Sequence, residues 1–242
     1  MPHSEGLRFE VSVNGERRCI AGVPASGVVT VIVHCPPDDP SHIIVGGLAG
    51  EGPHWDWIPL EEIPVGTVAR IRVLPPGEFD DPVRIKDYSD PQQPPRRSGR
   101  LRPHARSDPV PQDFRKQSLR LEVSIDGQER WLAGHDGPGS VSALLVWTAN
   151  RPHELRERGW ETTGMFQTPH LVGDTFLNIT GTDFTTEESL TWVMGRHVNA
   201  GSEVLIRDLP PGEHDPAAER RPKYVRPVTR KWGRLRQKPV SS

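Results

Sequence analysis

The sequence predicts an all-β protein, a tandem duplication of one small unit of five or six strands arranged as a β-sandwich or open barrel. Three observations predict it. Residues 192–213, WVMGRHVNAGSEVLIRDLPPGE, repeat residues 57–78, WIPLEEIPVGTVARIRVLPPGE, without a gap, and nine of the 22 aligned positions are identical. Residues 119–127, LRLEVSIDG, repeat residues 7–15, LRFEVSVNG, with six of nine identical. Between these anchors both copies read as alternating or apolar strand patterns bounded by turn residues, the signature of a small β unit.

Each copy opens on a strand with one buried face. Leu7, Phe9, Val11 and Val13 alternate with Arg8, Glu10 and Ser12, and Leu119, Leu121, Val123 and Ile125 do the same with Arg120, Glu122 and Ser124. Asn14-Gly15 and Asp126-Gly127 follow, dipeptides that tolerate positive φ and close tight hairpins. A return strand runs over 17–23 or 129–135. In the first copy a two-residue turn places Cys19 opposite Glu10 on the polar face, whereas a turn one residue longer moves it opposite Val11 and inward. The third strand, 28–35 or 140–147, is apolar nearly throughout and belongs in the centre of a sheet.

After the third strand the offset between the copies changes, so that the second carries 23 additional residues within about 148–175. A short strand is predicted at 42–47 or 176–181, then a variable loop, the shared Trp57 or Trp192, and a last strand stopped by Pro75-Pro76-Gly77 or Pro210-Pro211-Gly212. A pair of β-grasp units is the rival architecture, since it also opens with a hairpin. It needs a helix where both copies offer a β-branched apolar strand.

The predicted organisation is therefore a first β-repeat over 1–82, a Pro/Arg-rich flexible linker over 83–117, a second β-repeat over 118–216 and a basic tail over 217–242. Charge follows the same division. Residues 7–82 carry a net charge of -6 and residues 119–216 a net charge of -8, while the remaining segments hold 18 basic against six acidic side chains. Acidic units are joined and trailed by basic strings. No apolar run approaches the roughly 20 residues of a membrane span, and the first residues lack the pattern of a signal peptide, so a cytoplasmic protein without membrane contact is expected.

The shared residues have structural explanations: Trp57 and Trp192 as core anchors, Gly66 and Gly201 in turns, and Arg72 or Arg207 pairing with a carboxylate such as Glu78 or Glu213. His34, Cys35, His42 and the pair Asp38-Asp39 suggest a metal site, but the second copy places Val146 and Trp147 where the first has His34 and Cys35, and Trp131 where it has Cys19. The thiols thus read as small hydrophobes. Glu61-Glu62 and Glu187-Glu188 fall in the variable loops, without a buried partner for acid/base work. The chain shows no nucleophile elbow, phosphate loop or CxxC pair. No metal, cofactor or catalytic residue is expected.

Function is expected where the copies differ and where the chain lies outside both. The candidate partner-binding residues are Trp160, Phe166 and His170 in the insertion, with Arg226, Arg230 and Trp232 in the tail. The leading expectation is a non-catalytic interaction or adaptor protein whose two modules bind a protein partner bivalently. A second is an accessory protein that holds nucleic acid or another polyanion through residues 84–116 and 217–242. A third is an enzyme with its site in the 148–175 insertion.

Overall fold

The computed structural model describes residues 3–24, 27–36, 39–50, 53–86, 119–149, 175–210 and 212–222. The expected all-β class is what forms, as two large antiparallel sheets of six and eight strands and a small two-stranded one. The first half of the chain supplies β1 (His3–Ser4), β2 (Arg8–Val13), β3 (Glu16–Ala21), β4 (Gly27–Cys35), β5 (His42–Ala49), β6 (His54–Glu62), β7 (Val68–Leu74), β8 (Gly77–Glu78) and β9 (Arg84–Lys86). The second half supplies β10 (Leu119–Ile125), β11 (Glu129–His135), β12 (Gly139–Thr148), β13 (Thr175–Asp183), β14 (Glu188–Val198), β15 (Glu203–Leu209) and β16 (Glu219–Pro222). Where a β-grasp unit would place a helix after its hairpin, β4 and β12 stand instead.

Both sheets cross from one half to the other. The six-stranded sheet has the order β11-β10-β15-β7-β2-β3, and the eight-stranded sheet β16-β14-β13-β12-β4-β5-β6-β9. The halves meet at β7 with β15, pairing Ile71 with Val204 and Ala69 with Ile206, and at β4 with β12, pairing Val33 with Ala143 and Val31 with Leu145. The expected units therefore do not stand apart on a tether. The physical reason is edge chemistry: in half of this structure alone, β4 and β7 would each present a row of unpaired backbone groups, and the matching edges of the other half satisfy them.

One continuous core lies between the sheets, drawing Phe9, Val11, Val31, Ile43 and Ile71 from the first half and Leu121, Val123, Leu145, Ile179 and Ile206 from the second. Alternation along β4 is strict, with inward Val29, Val31, Val33 and Cys35 buried and the intervening residues half-buried. The apolar run at 28–35 thus occupies the centre of its sheet, as its composition predicts, and shares its outer face with solvent.

The hairpin register resolves the two settings available to Cys19. Asn14 (φ 51°) and Gly15 (φ 83°) close a two-residue turn between Val13 and Glu16, and a bulge then slips the ladder so that Val11 faces Cys19. That single slip turns Cys19 inward, where 4% of it is exposed. The second hairpin reaches the equivalent register, Val123 opposite Trp131, with an even ladder and one more residue in the turn.

Three expectations are corrected. Trp57 and Trp192 do not open the last strand of each half. They lie on β6 and β14 in the eight-stranded sheet, while Ile71 and Ile206 of the same repeated stretch lie in the six-stranded one. The stretch between them is the crossover between layers, which accounts for its repetition as a unit. Glu61 and Glu62 accordingly sit on β6 rather than in a loop, and Glu188 begins β14. Strand pairing also continues past residues 82 and 216, where β9 adds to β6 and β16 adds to β14 in matching registers. Apolar content could not signal these two strands, because all of β16 and most of β9 are exposed, and backbone pairing together with ion pairs such as Arg84–Asp56 and Arg220–Glu188 holds them.

If the shared sheets hold the halves together, chains covering 1–86 and 119–222 expressed separately will self-associate through their bare edges, and mixing them will give a one-to-one complex. Sedimentation of each chain and of the mixture measures this, and two monomeric halves that ignore each other would contradict the joined sheets.

Candidate functional site

Matched residues of the two halves build the same frame. Trp57 Nε1 donates to the Asp80 carbonyl at 2.7 Å, and Trp192 Nε1 to the Asp215 carbonyl at 2.9 Å. The carboxylates of Asp80 and Asp215 accept from the backbone N–H groups of Ile20 (2.6 Å) and Leu132 (2.7 Å). Arg8 Nε donates to the Pro75 carbonyl at 2.7 Å and Arg120 Nε to that of Pro210 at 2.6 Å, and each guanidinium also reaches the carbonyl of Glu78 or Glu213. Gly77 and Gly212 lie beneath those guanidinium groups, where a Cβ would come within 2.9 Å of one. The Pro-Pro-Gly-Glu segment is thus a cradle for an arginine of the first strand. Arg72 and Arg207 do not pair with Glu78 and Glu213 as expected; across the strands they reach Glu10 (3.1 Å) and Glu122 (3.2 Å), the partners that a neighbouring β-strand offers directly.

Gly66 (φ 92°) and Gly201 (φ 89°) serve the seam. The Gly66 N–H donates to the Asp208 carbonyl at 2.8 Å and the Gly201 N–H to the Val73 carbonyl at 2.7 Å, each turn thereby holding the last strand of the other half.

Against this common frame, one region differs. In the first half Trp55, Trp57 and Phe79 form an aromatic cluster, with ring centroids 5.9 to 6.1 Å apart. The aligned residues of the second half are Leu190, Trp192 and His214. With the plug reduced to these, a cleft of about 320 Å³ opens there, lined by residues that include His135, Asp136, Asp183, Trp192, His214 and Arg220. Trp192 forms its floor, lying against Gly181, where a Cβ would meet the indole at 3.0 Å. His214 sits on Gly134 as Phe79 sits on Gly22.

The polar groups of the cleft are committed to local structure. Asp183 Oδ1 accepts the backbone N–H groups of Thr185 (2.7 Å) and Thr186 (3.1 Å) and lies 3.4 Å from His135 Nε2. Burial alone would raise the pKa of this carboxyl, but the donors from Thr186 and Thr185 and the nearby His135 outweigh it and hold the group below its ordinary value. His135 Nδ1 lies 2.9 Å from the Gly137 amide nitrogen and 3.0 Å from the Gly137 carbonyl, and its Nε2 faces Asp183. His214 Nε2 lies 3.2 Å from Asp136 Oδ1, and the Asp136 side chain is 85% exposed at the mouth.

The other chemistry-bearing groups lie elsewhere. Cys19 and Cys35 are buried, and desolvation pushes both thiols up to about 12, which makes them poor nucleophiles. His34 and Cys35 face opposite sides of β4, with His34 Nδ1 2.6 Å from the Ser142 hydroxyl and its ring 5.1 Å from that of His42. Among the described residues no group of three His, Cys, Asp or Glu could hold a metal ion. Asp56, 2% exposed, accepts from Arg84 Nε (2.7 Å) and lies 2.8 Å from both Lys86 Nζ and His54 Nε2, which fastens β9 to β6. Asp208, aligned with the buried Val73, is itself buried at the seam beside Cys35, and among the described residues its Oδ2 has no hydrogen-bond partner.

The expected partner-binding residues Trp160, Phe166, His170, Arg226, Arg230 and Trp232 all lie outside the described residues. The cleft residues were missed because none belongs to a motif. Two signals were present: Asp80 and Asp215 extend the repeated PPGE by an identical residue, and Phe79 against His214, just before them, is a ring-for-imidazole exchange inside the repeat. Comparison with protein-family models, with curated proteins and with solved structures gave no match to this chain. Among the described residues no helix is long and apolar enough to cross a membrane.

Two carboxyls give opposite pH signatures. Burial raises the pKa of Asp208, so ionising it costs stability as pH rises through its folded value. Asp208→Val should therefore raise Tm at pH 7, by about 1 kcal/mol in stability, and gain less at pH 4. Asp56 is the reverse. Burial would raise its pKa, but hydrogen bonds from Lys86 and Arg84 and the charge of His54 lower it, so its stabilisation is present above the ordinary carboxylate pKa and lost as pH falls through the depressed one. Asp56→Asn should cost about 1–2 kcal/mol at pH 7, allowing for its half-exposed partners, and progressively less in acid. Thermal melts of both variants between pH 3 and pH 8 test the pair of signs.

Proposed function

We propose that this protein is a non-catalytic binding protein, derived by tandem duplication, whose recognition site is the cleft of the second half. The observation that carries this reading is the contrast between the aligned Phe79 and His214, and between Trp55 and Leu190, within an otherwise repeated frame. Two copies of one fold provide an internal control. What both retain is needed for folding, and a concavity found where only one copy is plugged is free to serve recognition. Because the halves share both sheets, this reading favours one composite body over two independently moving modules.

The polar groups support binding over catalysis. A general base needs an unengaged lone pair aimed into the site, yet Oδ1 of Asp183 accepts the Thr185 and Thr186 amides and Nδ1 of His135 is engaged by the Gly137 backbone. The polyanion reading rests on a different observation, the 18 basic against six acidic side chains outside residues 7–82 and 119–216. Loss of heparin retention on deleting 223–242 together with 88–116 is what it expects.

The cleft reading is tested by giving the second half the plug of the first, Leu190→Trp with His214→Phe. The variant should keep its fold, judged by its circular dichroism and cooperative melt, and lose the partners that the wild-type protein captures from extracts of the source cells. Unchanged capture by the folded variant would remove the cleft from the function.

A further inference from the structure

We propose that the cleft and the neighbouring edge of the eight-stranded sheet together bind an extended segment of a partner protein, with a tyrosine or tryptophan side chain of that segment seated on Trp192. This deepens the preceding reading and rests on it. Three observations on the same few residues carry it.

The first is the internal template. The first half shows what the walls of this region hold when it is filled: Phe79 packs edge-to-face on Trp57 at 6.1 Å, and Trp55 packs on both. The second half keeps the indole, fixed by the same Nε1–H bond to a backbone carbonyl, and has Leu190 and His214 in place of the two rings. An incoming aromatic ring restores a packing arrangement that the fold already uses.

The second is the free edge. Among the described residues β16 pairs only with β14, and its four residues are all exposed. Arg220 of β16 pairs with Leu190 of β14, so its side chain stands on the same face of the sheet as Leu190 and Trp192, and all three line the cleft. Cross-strand partners share a face, so a strand added beyond β16 would send every second side chain toward that cleft. Main-chain hydrogen bonds along the edge would supply affinity, and the cleft would select the side chain.

The third is the polarity of the mouth. Asp136 stands there with its side chain 85% exposed, so the rim offers a carboxylate acceptor. A phenol O–H or indole N–H meets an acceptor at the rim, whereas phenylalanine or leucine would leave one facing apolar surface. Tyrosine and tryptophan are also the side chains that most often anchor interfaces.

The test uses the full-length protein labelled with 15N at its tryptophans and three acetylated, amidated peptides: Thr-Val-Trp-Val-Thr, its leucine counterpart, and the tryptophan peptide N-methylated at both valines. Acetyl-tryptophanamide serves as the ring without a strand. Expected is a shift of the Trp192 indole N–H resonance, assigned by Trp192→Phe, with the tryptophan peptide binding about tenfold or more tightly than the leucine peptide. The N-methylated peptide and acetyl-tryptophanamide should bind at least as weakly as the leucine peptide. Leu190→Trp with His214→Phe should abolish the shift, and Ala217→Trp, which fills the cleft from another lining residue, should do the same if the double variant fails to fold.

Equal binding of the tryptophan and leucine peptides would overturn the aromatic anchor, and acetyl-tryptophanamide binding as tightly as the peptide would overturn the strand. Failure here is separable from failure of the broader reading. If the plugged variant loses its cellular partner while both peptides bind alike, the cleft remains the recognition site and only its aromatic selectivity falls. If it keeps the partner but loses the tryptophan peptide, the reverse holds.

Discussion

The pairing of β7 with β15 and of β4 with β12 is the constraint on which the rest depends. Each pair joins an edge from one half to the matching edge of the other, and together they make two sheets of six and eight strands from parts that would otherwise be small and open-sided. Small sheets with bare edges expose unsatisfied backbone and bury little apolar area. Joining them removes four such edges at once and lets Val31, Ile71, Leu145 and Ile206 contribute to a single core. The glycines at 66 and 201 then follow as requirements of the seam, since each turns the chain so that its N–H can reach the neighbouring half.

A shared frame also explains why the halves tolerate unequal contents. The Trp-carbonyl bond, the aspartate that receives the return strand, and the arginine held over Pro-Pro-Gly recur on both sides and carry the local geometry. With those in place, the aromatic plug of the first half is additional filling, and His214 and Leu190 can replace Phe79 and Trp55 without disturbing the Trp192 indole beneath. The cleft is an omission from a repeated pattern, located where an outer strand, a turn and the end of the hairpin converge.

Buried ionisable groups show the same division between frame and difference. Asp56 is buried yet surrounded by Arg84, Lys86 and His54, and it secures a strand that has little apolar surface of its own. Asp208 has the weaker environment of a thiol and a hydroxyl and keeps one oxygen unpaired, where the other half has valine. The first is compensated burial, the second is a cost carried by the seam.

Much of the fold was legible in the residues. Period-two alternation at 7–13 and 119–125, the Asn-Gly and Asp-Gly turns and the apolar third strands are local properties, and a strand with one buried face announces itself through its own side chains. The identity of the shared residues was equally local. Three features depended on contacts between distant segments and could be decided only by the tertiary structure. The joining of the halves is a matter of backbone edges, which carry no side-chain signature; β9 and β16 are held by those same edges and by Asp56 rather than by apolar faces. The inward turn of Cys19 rests on one bulge. The cleft exists because His214, Leu190, Trp192 and Arg220 converge from strands and turns separated along the chain, and an unfilled space has no residue of its own to mark it in a sequence.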